Sequence, residues 1–356
     1  MDDTPAPTAR VHVPAFDGLR AVAAVAVVLS HCAAGRGALA LLNSKVGLGA
    51  LGVDLFFALS GFLITGILLG VRDSGASGRG LLRFYVRRTL RIFPLYYAAF
   101  GLYFTLDFPG IRDNAWWFIA YAVNIGKALG VTGWVPLNHF WTLAVEEQFY
   151  LLWPALVLAV PRARLGAACL ALAAGSLAFR CWLELAGAND FAVLQLTPGC
   201  LEPLALGSWF AVRASEGRND RGVAICMAWA GLALTVACMP LPRSIQDSMG
   251  RAAHALLFAP LLPIVASLPA GAVLGFLCAP AVRFLGTISY GLYVWHVPVL
   301  DAIDRWTPFR SWTAGWPKPA TGVLLFAVAL PASAAVATVS WFAFERAFVR
   351  LKSRFE

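Results

Sequence analysis

FDGLRAVAAVAVVLSH, residues 16–31, is the stretch that decides what kind of protein this is. It opens on the charged pair Asp17 and Arg20, runs without interruption through apolar residues from Ala21 to Leu29, and closes on Ser30 and His31. In a helix, the eleven positions from Arg20 to His31 return to within about 20° of the same face and rise about 16 Å. Such a segment enters a bilayer beside Arg20 and carries an imidazole into the hydrocarbon. An ionisable group at that depth is costly and marks a functional site by default.

The rest of the chain has the same character. Of 356 residues 60% are apolar and 13% charged, and the mean hydropathy of +0.71 lies far above that of soluble domains. Counting about 20 apolar residues per crossing, spans are expected at 16–38, 47–71, 90–107, 141–160, 165–186, 195–212, 222–240, 251–268, 285–304 and 320–346. The expected fold is therefore all-α, a polytopic transmembrane bundle of about ten spanning helices. Residues 1–356 read as one integral-membrane domain with no appended soluble domain. WWFIAYAVNI, residues 116–125, is too short to span and suits the interface or a re-entrant piece. Met1 to Pro14 has no basic n-region and no cleavage site follows, so the first helix is expected to stay as an anchor.

A formal charge of +9 could suggest nucleic acid, but the Lys and Arg gather in short loops between apolar runs. The densest group is Arg72, Arg79, Arg83, Arg87, Arg88 and Arg91. That is the positive-inside pattern, with both termini inside, and nucleic acid is not an expected partner. The seven cysteines lie mostly in apolar runs without metal-ligand or redox spacing, and read as small hydrophobes with no metal expected.

If the chain turns back near Leu42 and Asn43, Asp54 of GVDLFFALSGFLIT reaches the depth of His31. A carboxylate there would fix the imidazole tautomer and raise its basicity; the bland alternative is interhelical glue. NHFWTLAVEEQFYLLWP brings Glu146 and Glu147 to a similar depth. Adjacent helical residues point about 100° apart, so at most one faces His31, and Glu146 is preferred. Ser60 lacks the G-x-S-x-G elbow of a nucleophile, and its neighbour Gly61 suits close helix packing. Cys32 points away from the face of His31.

In RFYVRRTLRIFPLYY, Arg88 and Arg91 share a helical face and suit phosphate oxygens, while Arg72 and Arg79 read as ordinary inner-loop charges. A donor that is anionic at its cytoplasmic end and reactive about 15 Å deeper fits these positions. Acyl-coenzyme A meets that description, with its phosphates on Arg88, Arg91 and Arg20 and its thioester at His31.

Together, FDGLRAVAAVAVVLSH, GVDLFFALSGFLIT, FYVRRTLRIFPLYY, FWTLAVEEQFYLLWP and ISYGLYVWHVPV resemble the integral-membrane acyltransferase-3 family, over nearly the whole chain. Members O-acylate envelope polysaccharides, lipid-linked sugars, peptidoglycan, nodulation factors and macrolides. The resemblance implies about ten helices, a cytoplasmic acyl donor with acetyl-CoA as the first choice, and essential roles for Arg20, His31, Arg88, Arg91 and one glutamate of WTLAVEEQFY. It further implies a prokaryotic inner membrane and a glycan, lipid-linked sugar or macrolide acceptor. His31 would act as general base or transient acyl carrier, oriented by Asp54 or Glu146. Tyr293 and His296, three residues apart, could line the acceptor route, with Trp141 and the outer aromatics Trp134, Trp306, Trp312 and Trp316 stacking on sugar rings; all equally fit an aromatic belt. The alternative function is a transporter or flippase for a glycan or lipid intermediate, because intramembrane charges also mark transport paths.

Overall fold

The computed structural model describes residues 13–34, 36, 38–75, 77–133, 135–218 and 220–352. The polar segment before residue 13 and Trp134 lie outside them. Among the described residues the chain is all helix, and every expected span coincides with one. The ten longest are α1 (Pro14–Ala33), α2 (Leu48–Asp73), α3 (Ser77–Thr105), α4 (Trp141–Ala159), α5 (Arg162–Leu185), α6 (Leu201–Ser215), α7 (Arg221–Cys238), α8 (Arg243–Ala266), α9 (Ser289–Trp306) and α10 (Lys318–Ser340). Six segments are both long and apolar enough to cross a membrane on those criteria: α1, Asn43–Asp73, α5, α7, α8 and Lys318–Leu351.

Burial separates a centre from a periphery. The apolar windows of α1 and α2 are 61% buried, against 17% for α7 and 28% for the segment containing α10. Peripheral helices expose large apolar side chains outward, among them Trp229 and Val323, as lipid-facing surfaces require. The centre is held by small residues. A Cβ on Gly61 of α2 would lie 1.9 Å from the Leu204 carbonyl of α6, and one on Gly207 would lie 2.2 Å from the Ala58 carbonyl of α2. The two backbones touch there, so Gly61 is the packing residue its sequence context suggests.

Two local features bear on how the long helices are connected. The connection between α1 and α2 is not a simple turn near Leu42: it holds a short helix, Ala38–Val46, and then Gly47 with φ +68° starts α2. The segment expected in the interface or as a re-entrant piece is two short helices, Ala115–Ile119 and Val123–Ala128, neither long enough to span. Its Phe118 is buried while Trp116 is 71% exposed.

Candidate functional site

α1 carries Arg20 and His31 on one face, and three adjoining cavities follow that face. The first, of about 910 Å³, is lined by Arg20, Arg79, Arg83, Arg87, Arg88, Arg91 and Lys352, with Asp17 the one acid among the described residues that line it. Arg20, Arg88 and Arg91 also line the second, of about 100 Å³, together with Ser60, Glu146 and Tyr150. Val53 and Tyr293 are common to the second and the third, of about 270 Å³, which contains His31, Lys127, His139 and Trp141. A strongly basic vestibule thus leads by shared walls to the imidazole.

The basic end is short of counter-charge. Arg20 donates to Asp17 Oδ1 at 3.1 Å. The Arg88 guanidinium lies 5.9 Å from the Phe84 ring and 5.7 Å from the Tyr150 ring. Among the described residues neither Arg88 nor Arg91 has an ion-pair partner. Lys352, beyond the last helix, is held down to about 7 by burial and by the facing Arg91, Arg88 and Arg87. Converging cations that depress one another form a polyanion site. Of the two arginines read as ordinary inner-loop charges, Arg72 is tied to the protein, donating at 2.7 Å to both the Val157 and Val160 carbonyls at the end of α4, and Arg79 lines the vestibule.

Between vestibule and imidazole runs a hydrogen-bond chain. Tyr150 donates to Ser60 Oγ at 2.9 Å and Ser60 donates to Glu146 Oε1 at 2.7 Å. Ser60 is therefore committed to Glu146. Of the two glutamates it is Glu146 that lines the passage; Glu147 points elsewhere, with a buried Oε1 that has no hydrogen-bond partner.

His31 is exposed to its cavity, with Nδ1 3.0 Å from the Val27 carbonyl one turn back. A carbonyl oxygen only accepts, so Nδ1 carries the proton and Nε2 presents a lone pair. The backbone of α1 itself fixes the tautomer. Asp54 does not do so, contrary to the sequence expectation. It is 1% exposed and accepts from Arg251 Nε at 3.0 Å and His254 Nδ1 at 2.8 Å, both from α8. The reason is rotational: Val53 faces the His31 cavity, and the next residue lies about 100° further round the helix. Glu146 likewise makes no hydrogen bond to His31.

The residues expected on the acceptor route lie near His31. The His296 ring packs 4.8 Å from His31 and 5.0 Å from His139. His296 itself is fully buried, and its Nδ1 donates to the Tyr293 carbonyl at 2.6 Å. The Tyr293 hydroxyl donates to the His139 carbonyl at 2.9 Å and lies 2.6 Å from Thr142 Oγ1. Tyr293 and Trp141 line the cavity, whereas Trp306, Trp312 and Trp316 are exposed. Sequence reasoning missed His139, Lys127, Arg251 and His254. The signal for the last two was present, because an Arg and a His three residues apart at the start of an apolar run share a helical face. Among the described residues no cluster suits a metal ion.

A family model described as an acyltransferase domain matches residues 13–338. The chain is 29% identical to the peptidoglycan O-acetyltransferase OatA of Listeria monocytogenes over 327 residues, covering 82% of this chain and 50% of that protein. It is 28% identical to the O-acetyltransferase OatA of Staphylococcus aureus over 329 residues, covering 83% of this chain and 52% of that one. The chain thus spans about half the length of these relatives. No solved structure matches it.

Proposed function

The chain belongs to this acyltransferase family, and on that premise we propose that it moves an acyl group, acetyl in the first instance, from cytoplasmic acyl-CoA to a hydroxyl of a glycan or glycoside. It would do so as a ten-span protein of a bacterial inner membrane, with both termini inside. The observation that carries this reading is the basic vestibule adjoining, through Arg20, Arg88, Arg91 and Tyr293, the cavity of an imidazole with a free Nε2. The nucleotide phosphates rest on the arginines, and the pantetheine arm spans the roughly 16 Å to His31.

In the reaction, His31 Nε2 takes the proton of the acceptor hydroxyl as its oxygen attacks the thioester carbonyl. The C–O bond forms, the C–S bond breaks, and the imidazolium returns the proton to the departing thiolate. Nδ1–H bound to the Val27 carbonyl keeps the ring oriented through both transfers. A glycan acceptor is supported by the name of the Listeria relative, a peptidoglycan O-acetyltransferase.

The test is acetyl-CoA binding to protein in nanodiscs. Arg88→Ala/Arg91→Ala should weaken binding by about tenfold or more, since hydrogen bonds between charged groups contribute about 1.5–3 kcal/mol each. His31→Ala should bind normally and transfer nothing. A folded wild type that binds no acetyl-CoA would overturn the reading and favour a transporter.

A further inference from the structure

The third cavity holds polar groups that the transfer chemistry leaves unused. Lys127, 4% exposed, lines it, yet among the described residues its ammonium makes no hydrogen bond or ion pair and lies 4.4 Å from the Phe191 ring. No carboxylate lines this cavity, and the other cation there, Arg251, is already neutralised by Asp54. Three residues that line it carry a buried atom without a hydrogen-bond partner among the described residues: Asn138 Oδ1, His139 Nδ1 and Gln195 Oε1. Buried polar atoms are ordinarily satisfied, and a buried charge without a counter-ion is costlier still.

These groups are fixed in place rather than floppy. The short helix Val123–Ala128 that carries Lys127 is tied down at both ends: Asn124 Nδ2 donates to the Gln195 carbonyl at 3.2 Å, and Asn189 Nδ2 donates to the Ala128 carbonyl at 2.8 Å. His139 Nε2 is held by the Val294 carbonyl at 3.3 Å, which leaves Nδ1 as an acceptor. The residues lining the cavity therefore include one cation and three that carry an unsatisfied acceptor, together with His31 and its free Nε2, and Trp141 supplies an apolar face. At about 270 Å³ the space is at the small end for ligand sites and suits one ring.

We propose that this cavity is the acceptor site and that it selects a sugar bearing an anionic substituent, which pairs with Lys127. Ring hydroxyls donate to Asn138, His139 and Gln195 and leave one hydroxyl at His31. The inference rests on His31 being the transfer base and adds the acceptor's charge to that reading.

The test is equilibrium binding to the full chain in nanodiscs, using three probes. These are a tetrasaccharide alternating N-acetylglucosamine with N-acetylmuramic acid, the same compound with its carboxyls converted to amides, and N-acetylglucosamine 1-phosphate. Wild type should prefer the carboxylate to the amide by about tenfold, the scale of one charge-assisted hydrogen bond. Lys127→Met should bring that ratio to about one, while Lys127→Arg should keep it. Tighter binding of the phosphate than of the carboxylate would identify phosphate as the preferred anion and equally support the site. A wild-type ratio near one, no binding of any probe, or a preference surviving in Lys127→Met would overturn the inference. Acetyl-CoA binding in the same samples reports folding of each variant. It also separates the two readings: intact donor binding without sugar preference removes only the acceptor inference, and sugar preference without donor binding removes only the donor site. If Lys127→Met does not fold, the wild-type ratio and Lys127→Arg decide.

Discussion

Asp54→Asn separates a structural role for this carboxylate from a catalytic one. Asp54 is 1% exposed and its two oxygens are each occupied, by Arg251 at 3.0 Å and His254 at 2.8 Å. The amide preserves shape but removes the charge, leaving Arg251, 7% exposed, without its counter-ion. Stranding one partner of a buried pair costs about 3–5 kcal/mol. The unfolding equilibrium should therefore move by roughly 10²- to 10⁴-fold, at 1.4 kcal/mol per factor of ten. Detergent-titrated unfolding in mixed micelles measures this directly. Acetyl-CoA binding per folded molecule should be unchanged, because Asp54 lines neither the vestibule nor the passage. The opposite pattern, wild-type stability with transfer abolished, would refute the reasoning and place Asp54 beside His31 in the working enzyme.

Other perturbations follow from the same geometry. Gly61→Ala drives a methyl into the Leu204 carbonyl, 1.9 Å from where its Cβ would sit, and should lower the yield of folded protein sharply. Gly66→Ala on the same helix meets nothing within 4 Å and should be neutral, both read by size-exclusion of the solubilised protein. Lys352, held to about 7, is mostly neutral at pH 8 and regains its proton when phosphates arrive. Acetyl-CoA binding should then take up a proton above pH 7 and weaken as pH rises, with no such uptake below pH 7, where the ammonium is already charged. Calorimetry in buffers of different ionisation enthalpy should show the uptake in wild type and its loss in Lys352→Met. Raising salt should weaken acetyl-CoA binding, the mark of a cationic vestibule.

Much of this protein was legible one residue at a time. The apolar run lengths placed the ten long helices, and six segments are long and apolar enough to cross a bilayer, because the hydrocarbon sets how many residues a crossing needs. The eleven-residue spacing put Arg20 and His31 on one stripe, since helical periodicity is a property of the chain alone. The three cavities along α1 realise that stripe. The Arg88 and Arg91 pair was readable for the same reason.

Which polar groups meet across helices was another matter. Depth made Asp54 the natural partner of His31, but helix rotation, set by contacts such as Gly61 against Leu204, turned it to Arg251 and His254. A residue number fixes height and relative angle within one helix and says nothing about the absolute rotation of that helix against its neighbours. The tautomer of His31 depended on its own Val27 carbonyl, a local bond with no sequence signature. Lys127 entered the cavity from a short helix that does not cross the bundle. The sequence by itself determined the helices, their order and the stripe that carries Arg20 and His31. The packing of small residues decided which stripe faces which, because only the tertiary contacts fix each helix about its own axis.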